Sequence, residues 1–129
     1  MGDISDMKNE LKFLAGEATA GRLMFQTDVA ERCVKMCDDY ILELNTLHAG
    51  ADRLVNIDSF GILNSAKALA AKFYDLAIGG PGSGSYRDSV TKHIEVVKQM
   101  AEMFRKAGEA YKAADQGTQQ AITSVGDQV

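Results

Sequence analysis

Cys33 and Cys37 stand four residues apart. On a helix this spacing puts both thiols on one face, one turn from each other. Metal ligation or thiol redox work is the chemistry such a pair offers. Zinc needs three or four ligands, and the chain has no second Cys pair. The usual redox spacing is Cys-x-x-Cys. At four residues the Cα atoms are about 6 Å apart, within disulfide reach, but helical Cβ vectors rarely align. Both cysteines therefore read as small packing residues. His48 has Asp52 one turn on, and His93 has only charged helical neighbours. Neither histidine assembles a ligand set. GGPGSGS, residues 79–85, lacks the Lys and the strand-to-helix setting of a phosphate loop. No Ser/His/Asp arrangement or distinguishable carboxylate pair is present. The expectation is a protein that is not an enzyme and needs no cofactor or metal.

One pair remains. EAYKAADQG, residues 109–117, places Tyr111 and Asp115 four apart, on one helical face. The periodicity ends the helix here, with Gly117 as C-cap. An acid in a last turn faces the negative end of the helix dipole and costs about 0.3–1 kcal/mol. A carboxylate so placed beside a phenol makes a compact apolar-plus-anionic epitope. Lys112, between them, faces elsewhere.

The elements that must carry these residues are helical. The chain has 129 residues, one Pro and no Trp, and its Val and Ile do not alternate as in strands. That makes it all-α and of a size for one domain. The net charge of −4, with acids and bases interspersed, argues against nucleic acid as a partner. No apolar run of about 18 residues exists, so stable membrane insertion is not expected. The helix faces are acidic rather than rich in Lys and Arg, which argues against a membrane-active helix pair. MGDISDMKNELKFL has early acids and no apolar core, unlike a secretory signal peptide.

The spacing predicts a first helix over about 5–54. Its a/d seam is Leu11, Leu14, Ala18, Gly21, Phe25, Val29, Cys33, Met36, Tyr40, Leu44, Leu47, Ala51 and Leu54. Gly16, Gly21 and Gly50 weaken it locally. VNIDSFG, residues 55–61, breaks it. A second helix covers about 61–78. The Gly-rich stretch 79–85 is a flexible connector. A third helix, 86–116, carries Val90, Ile94, Val97, Phe104, Ala107 and Tyr111 on its stripe. Residues 118–129 form a polar tail. By length the second and third helices together match the first. The expected architecture is a long helical hairpin with a broken second arm over 1–117; a compact three-helix bundle is the alternative. A two-helix hairpin cannot enclose its own core, so the chain is expected to dimerise as a four-helix-bundle-like assembly. Phe25, Val29, Cys33, Met36, Tyr40, Leu44, Leu47, Ile94, Val97 and Phe104 form that core and dimer seam.

These features resemble the ESAT-6-like, or Trp-x-Gly, superfamily of small type VII (ESX) secretion substrates of actinobacteria. Tyr111 and Asp115 match its Tyr-x-x-x-Asp/Glu export signal. Phe60-Gly61, in the break after the first helix, resembles the Trp-x-Gly turn, with Phe for Trp and no intervening residue. The similarity covers residues 5–117. The 61–78 helix and the Gly-rich connector are extra to the simple hairpin. The resemblance implies a protein that is secreted, or sent to the cell envelope, without a signal peptide after a cytoplasmic stage. It implies pairing of two helical hairpins, as a homodimer or heterodimer, and recognition by the type VII secretion ATPase. The rival expectation is a cytosolic helical adaptor or chaperone for a larger toxin or effector.

Overall fold

The computed structural model describes residues 4–54 and 64–127. It is all-α, and no strand occurs among the described residues. The elements are α1 (Ile4–Thr19), α2 (Thr27–Gly50), a 3₁₀ turn (Ala51–Leu54), α3 (Asn64–Ile78) and α4 (Tyr86–Asp127). Two compact units are present, one within Met1–Asp39 and Val96–Val129, the other within Tyr40–Glu95.

In the first unit, the helix expected over 5–54 is interrupted after Thr19. Gly21, expected as a small seam residue inside that helix, instead ends α1 with φ +81°. Its N–H donates to the Ala18 carbonyl, and the Arg22 N–H donates to that of Glu17, at 3.0 and 2.9 Å. This is the Schellman pattern, with Gly in the left-handed position. The Arg22 guanidinium returns to both Glu17 carboxylate oxygens, at 2.7 and 3.0 Å. The chain then runs to Gln26, whose carbonyl accepts the first bond of α2, from the Ala30 N–H.

Phe25 fastens this segment to α4. Its N–H donates to the carbonyl of Ala107 at 3.1 Å, a mid-helix oxygen with a lone pair to spare. Its ring lies 5.6 Å from that of Phe104, tilted by 53°, an arrangement worth about 0.5–1.5 kcal/mol beyond its burial. Next to it α2 and α4 come close through small residues. A Cβ on Gly108 would stand 2.7 Å from the Cβ of Ala30. Ala15, Ala18, Ala30, Cys37, Val96, Val97, Ala101, Met103 and Ala107 are the buried apolar residues of this unit.

The second unit is organised by the start of α4. Ser85 and Asp88 form a capping pair of the Ser-x-x-acid type. The Asp88 N–H donates to Ser85 Oγ at 3.1 Å, and Ser85 Oγ–H donates to the Gly79 carbonyl at 2.8 Å. The Asp88 carboxylate turns back on the Gly-rich stretch, accepting from the N–H groups of Gly82 and Gly84 at 3.1 and 3.0 Å. Both glycines have positive φ, which L side chains adopt at a cost. Lys92 Nζ lies 3.3 Å from the same carboxylate. Residues 79–85, expected as a flexible connector, thus carry a defined set of bonds. Leu44, Ala51, Ala77, Val90 and Ile94 are the buried apolar residues of this unit.

Helix α4 does not stop at 116. It runs through Gly117 to Asp127, and Thr118 Oγ1 bonds the Ala114 carbonyl inside it. Gly117 is therefore a helix-interior residue rather than a C-cap, and the first residues of the expected polar tail are helical.

Two stability predictions follow from these contacts. Gly117→Ala meets open space and should stabilise by about 0.5–1 kcal/mol through helix propensity. Gly108→Ala must displace α2 and should destabilise by about 1–3 kcal/mol. Urea midpoints of the two variants should move in opposite directions. The hydrogen bonds from Gly84 and Gly82, with help from Lys92, hold the Asp88 carboxyl below its ordinary value of 3.8 against the opposing effect of burial. A lowered folded pKa gives stability that is present above the unfolded value and lost as pH falls through the folded one. Wild type should therefore exceed Asp88→Asn in urea midpoint at neutral pH. The two should converge as pH drops below about 3.8.

Candidate functional site: the Tyr111–Asp115 face

The C-terminal part of α4 positions the pair. Ala101, Ala107 and Gly108 are buried in the first unit, and their small size sets α4 close to α2. One turn beyond Gly108 the covering ends. All residues from Tyr111 to Ala121 are exposed. Tyr111, expected on the seam, is 38 % exposed. Asp115 is exposed one turn on, with Gln119 Nε2 at 3.4 Å from its Oδ2. The helix continues for about three turns past Asp115. The dipole penalty expected for an acid in a last turn therefore does not apply, because the uncompensated carbonyls lie near Asp127. What is left of that expectation is an exposed phenol and an exposed carboxylate on one helical face.

A cleft of about 320 Å³ lies between α2 and α4, with Lys112 but neither Tyr111 nor Asp115 in its lining. Ala30, Val34 and Gly108 lie at its apolar part, with Glu31, Glu109 and Lys112 around them. The close approach at Ala30 and Gly108 explains it: small residues let the backbones meet and leave space above.

The expected seam divides in the structure. Leu44, Ile94 and Val97 are buried; Phe25, Cys33 and Phe104 are half-buried. Val29, Met36, Tyr40 and Leu47 are exposed, Met36 to 70 %. Besides Leu44 and the half-buried Cys33, α2 covers Ala30, Val34, Cys37, Ile41 and His48. Each of these five stands one residue after an expected seam position, while Leu44 is shared by both stripes. Phe60 and Gly61 lie outside the described residues.

Both cysteines are free. Burial pushes the Cys37 thiol above its ordinary value, and Asp38 and Cys33 add to the effect. A suppressed thiolate makes Cys37 a poor nucleophile and a poor metal ligand. His93 is exposed, its Nδ1 2.7 Å from the Ser89 carbonyl. Among the described residues, no group of three or more His, Cys, Asp or Glu could hold a metal ion. The Ser85–Asp88 cap was missed in the sequence, although Ser-x-x-Asp before an apolar run signals it. No protein-family model matches this chain, and no curated protein or solved structure is significantly similar to it.

Cys33 should react with Ellman's reagent in the native protein. Cys37 should react at least about tenfold more slowly until urea is added. Equal native rates would show that Cys37 is accessible.

Proposed function

We propose that this chain is a small helical recognition protein that a type VII (ESX-like) secretion system exports, alone or as escort to a larger substrate. Tyr111 and Asp115 are the residues that the secretion ATPase reads. One observation carries this reading. The chain leaves a tyrosine and an acid exposed one turn apart on α4. An exposed phenol ring is available to a receptor pocket, and the neighbouring carboxylate adds an anionic contact that fixes orientation. The work is recognition rather than catalysis.

In this reading the protein travels paired with a related helical hairpin, or with a second copy. Val29, Met36, Tyr40 and Leu47, exposed on α2, are the residues a partner would cover. Phe60-Gly61, the motif likened to the Trp-x-Gly turn, lies outside the described residues. The same exposed residues would serve a cytosolic adaptor that sequesters the helical start of a larger toxin or effector and stays behind. Export separates the two readings.

In a host with a working type VII system, wild type should accumulate in the culture filtrate. Tyr111→Ala should be retained in cells at least about tenfold more. Tyr111 is 38 % exposed, so its truncation removes some packing as well, and circular dichroism and urea unfolding should show the variant still folded. Retention of both proteins would support the adaptor, and equal export of both would remove Tyr111 as the signal.

A further inference from the structure

Helix α2 keeps an apolar strip that its own chain leaves uncovered. Val29, Met36, Tyr40 and Leu47 are exposed, Met36 the most. At 100° per residue all four fall within about 40° of arc. No buried residue stands inside that arc. The buried positions Ala30, Cys37 and Leu44 lie about 60–100° round from its centre. Helix α2 runs unbroken from Thr27 to Gly50, so the strip is one face about 27 Å long. Four large apolar side chains on one narrow face are unusual where only water lies beyond.

The spacing along the strip is symmetric. Successive members stand seven, four and seven residues apart. Val29 and Leu47 are therefore equidistant from Asp38, and so are Met36 and Tyr40. A different partner imposes no such symmetry. Two copies of α2 laid antiparallel about a two-fold axis beside Asp38 require it, because each residue then meets the one equally far beyond the axis. Val29 faces Leu47 of the second copy, and Met36 faces Tyr40. The charges agree with that direction. Arg32 and Glu43 stand on the same border of the strip, about 40–60° from its centre. A two-fold axis of this kind keeps like borders together and brings Arg32 within one residue of Glu43 of the second copy. Two opposite-charge pairs result, one on either side of the axis. Within its own chain Arg32 has a loose 3.6 Å contact to Asp28, both side chains well exposed. Glu43 has no ion pair among the described residues. Asp39, the acid nearest the axis on that border, already has Lys35 at 3.0 Å. A parallel pair would set the charged border of each copy against the covered border of the other, where Cys33 and Leu44 stand.

We infer that the strip seats a second copy of this chain, bound antiparallel through α2 with the two-fold axis beside Asp38. The inference deepens the functional reading, on which it rests for the strip as a partner's surface, by naming the partner and the register. The contact buries the four apolar side chains of each copy, and the two Arg32–Glu43 pairs border it. Cys33 stands opposite Glu43 of the second copy. The two Cys33 thiols are then about ten residues, or about 15 Å, apart along the helices, so the native contact forms no disulfide between copies.

The test is analytical ultracentrifugation of the purified full chain. Wild type should be a dimer at micromolar concentration. Met36→Glu/Tyr40→Glu should be a monomer with the circular dichroism of wild type, since both side chains are exposed. Leu42→Glu, at a residue exposed elsewhere on α2, should remain a dimer. Arg32→Glu and Glu43→Arg should each weaken the dimer at least about fivefold, and the exchange Arg32→Glu/Glu43→Arg should restore it. These reversals keep the proposal falsifiable even where the apolar variant fails to fold. For the register, Met36→Cys and Tyr40→Cys are each placed in a Cys33→Ser background. A mixture of the two should form a disulfide-linked dimer on mild oxidation, and either alone should not. Three results would overturn the proposal. One is a monomeric wild type. Another is a dimer that Met36→Glu/Tyr40→Glu leaves intact. The third is a dimer indifferent to the single charge reversals. A monomeric wild type would leave the export reading standing, since that reading allows a related hairpin as partner and is tested at Tyr111.

Discussion

The first unit depends on how closely α2 and α4 approach at Ala30 and Gly108. There is no room for a methyl group on Gly108, so the two helices meet almost backbone to backbone. Everything near that point follows from it. Phe25 is close enough to α4 for its N–H to reach the Ala107 carbonyl and its ring to meet Phe104. The cleft exists because the residues at the crossing are too small to fill the space above them. Helices that approach this closely bury small side chains and turn large ones outward. That constraint also decides which stripe of α2 is used.

Much of the helical content was legible because it rests on local signals. The 3.6-residue period, the scarcity of Pro and the lack of strand alternation point to helices, and helices form. The boundaries were less legible, and each miss has a cause in a glycine. Gly21 and Gly117 look alike in sequence, since both follow an apolar period that could stop or continue. Gly21 stops it, because the next segment is drawn to α4 through Phe25, and the left-handed turn makes that exit possible. Gly117 does not, because Gln116, Thr118 and their neighbours keep helical bonds without a competing cap. The α2 seam was misread for a subtler reason. Val29-Ala30, Cys33-Val34, Met36-Cys37 and Tyr40-Ile41 are adjacent pairs, so two stripes with identical spacing run side by side. Side-chain size does not separate them throughout: Ala30, Cys37 and Ile41 are smaller than Val29, Met36 and Tyr40, but Val34 is larger than Cys33. The Ala30–Gly108 approach favours the stripe that holds Ala30, and periodicity contains no information about that approach.

The Tyr111–Asp115 pair illustrates the same limit from the other side. Its spacing was legible and its exposure was not. Tyr111 continues the apolar period of α4, so the pattern places it inward. The structure leaves it outward because α2 no longer covers α4 there. An aromatic residue at a core-like position without a core around it is a different object from a tolerated surface tyrosine. Its period is that of packing, while its environment is that of the surface.

This bears on how such a face can be read by a partner. From Tyr111 to Ala121 every residue is exposed, Tyr111 the least at its start, and the stretch includes Gly117 and Thr118, both weak helix formers. A stretch this exposed gains little from propagation alone. Its helical state is supported mainly by continuity with the packed turns before it, and the balance between helix and coil there is shallow. A receptor that grips Tyr111 and Asp115 together binds only the helical form, because only the helix puts the two on one face. Binding then shifts the shallow equilibrium by mass action. Part of the interaction energy is used in ordering the last turns, which lowers affinity without lowering specificity. In the proposed export reading, such a helix would suit a signal that is recognised and then released.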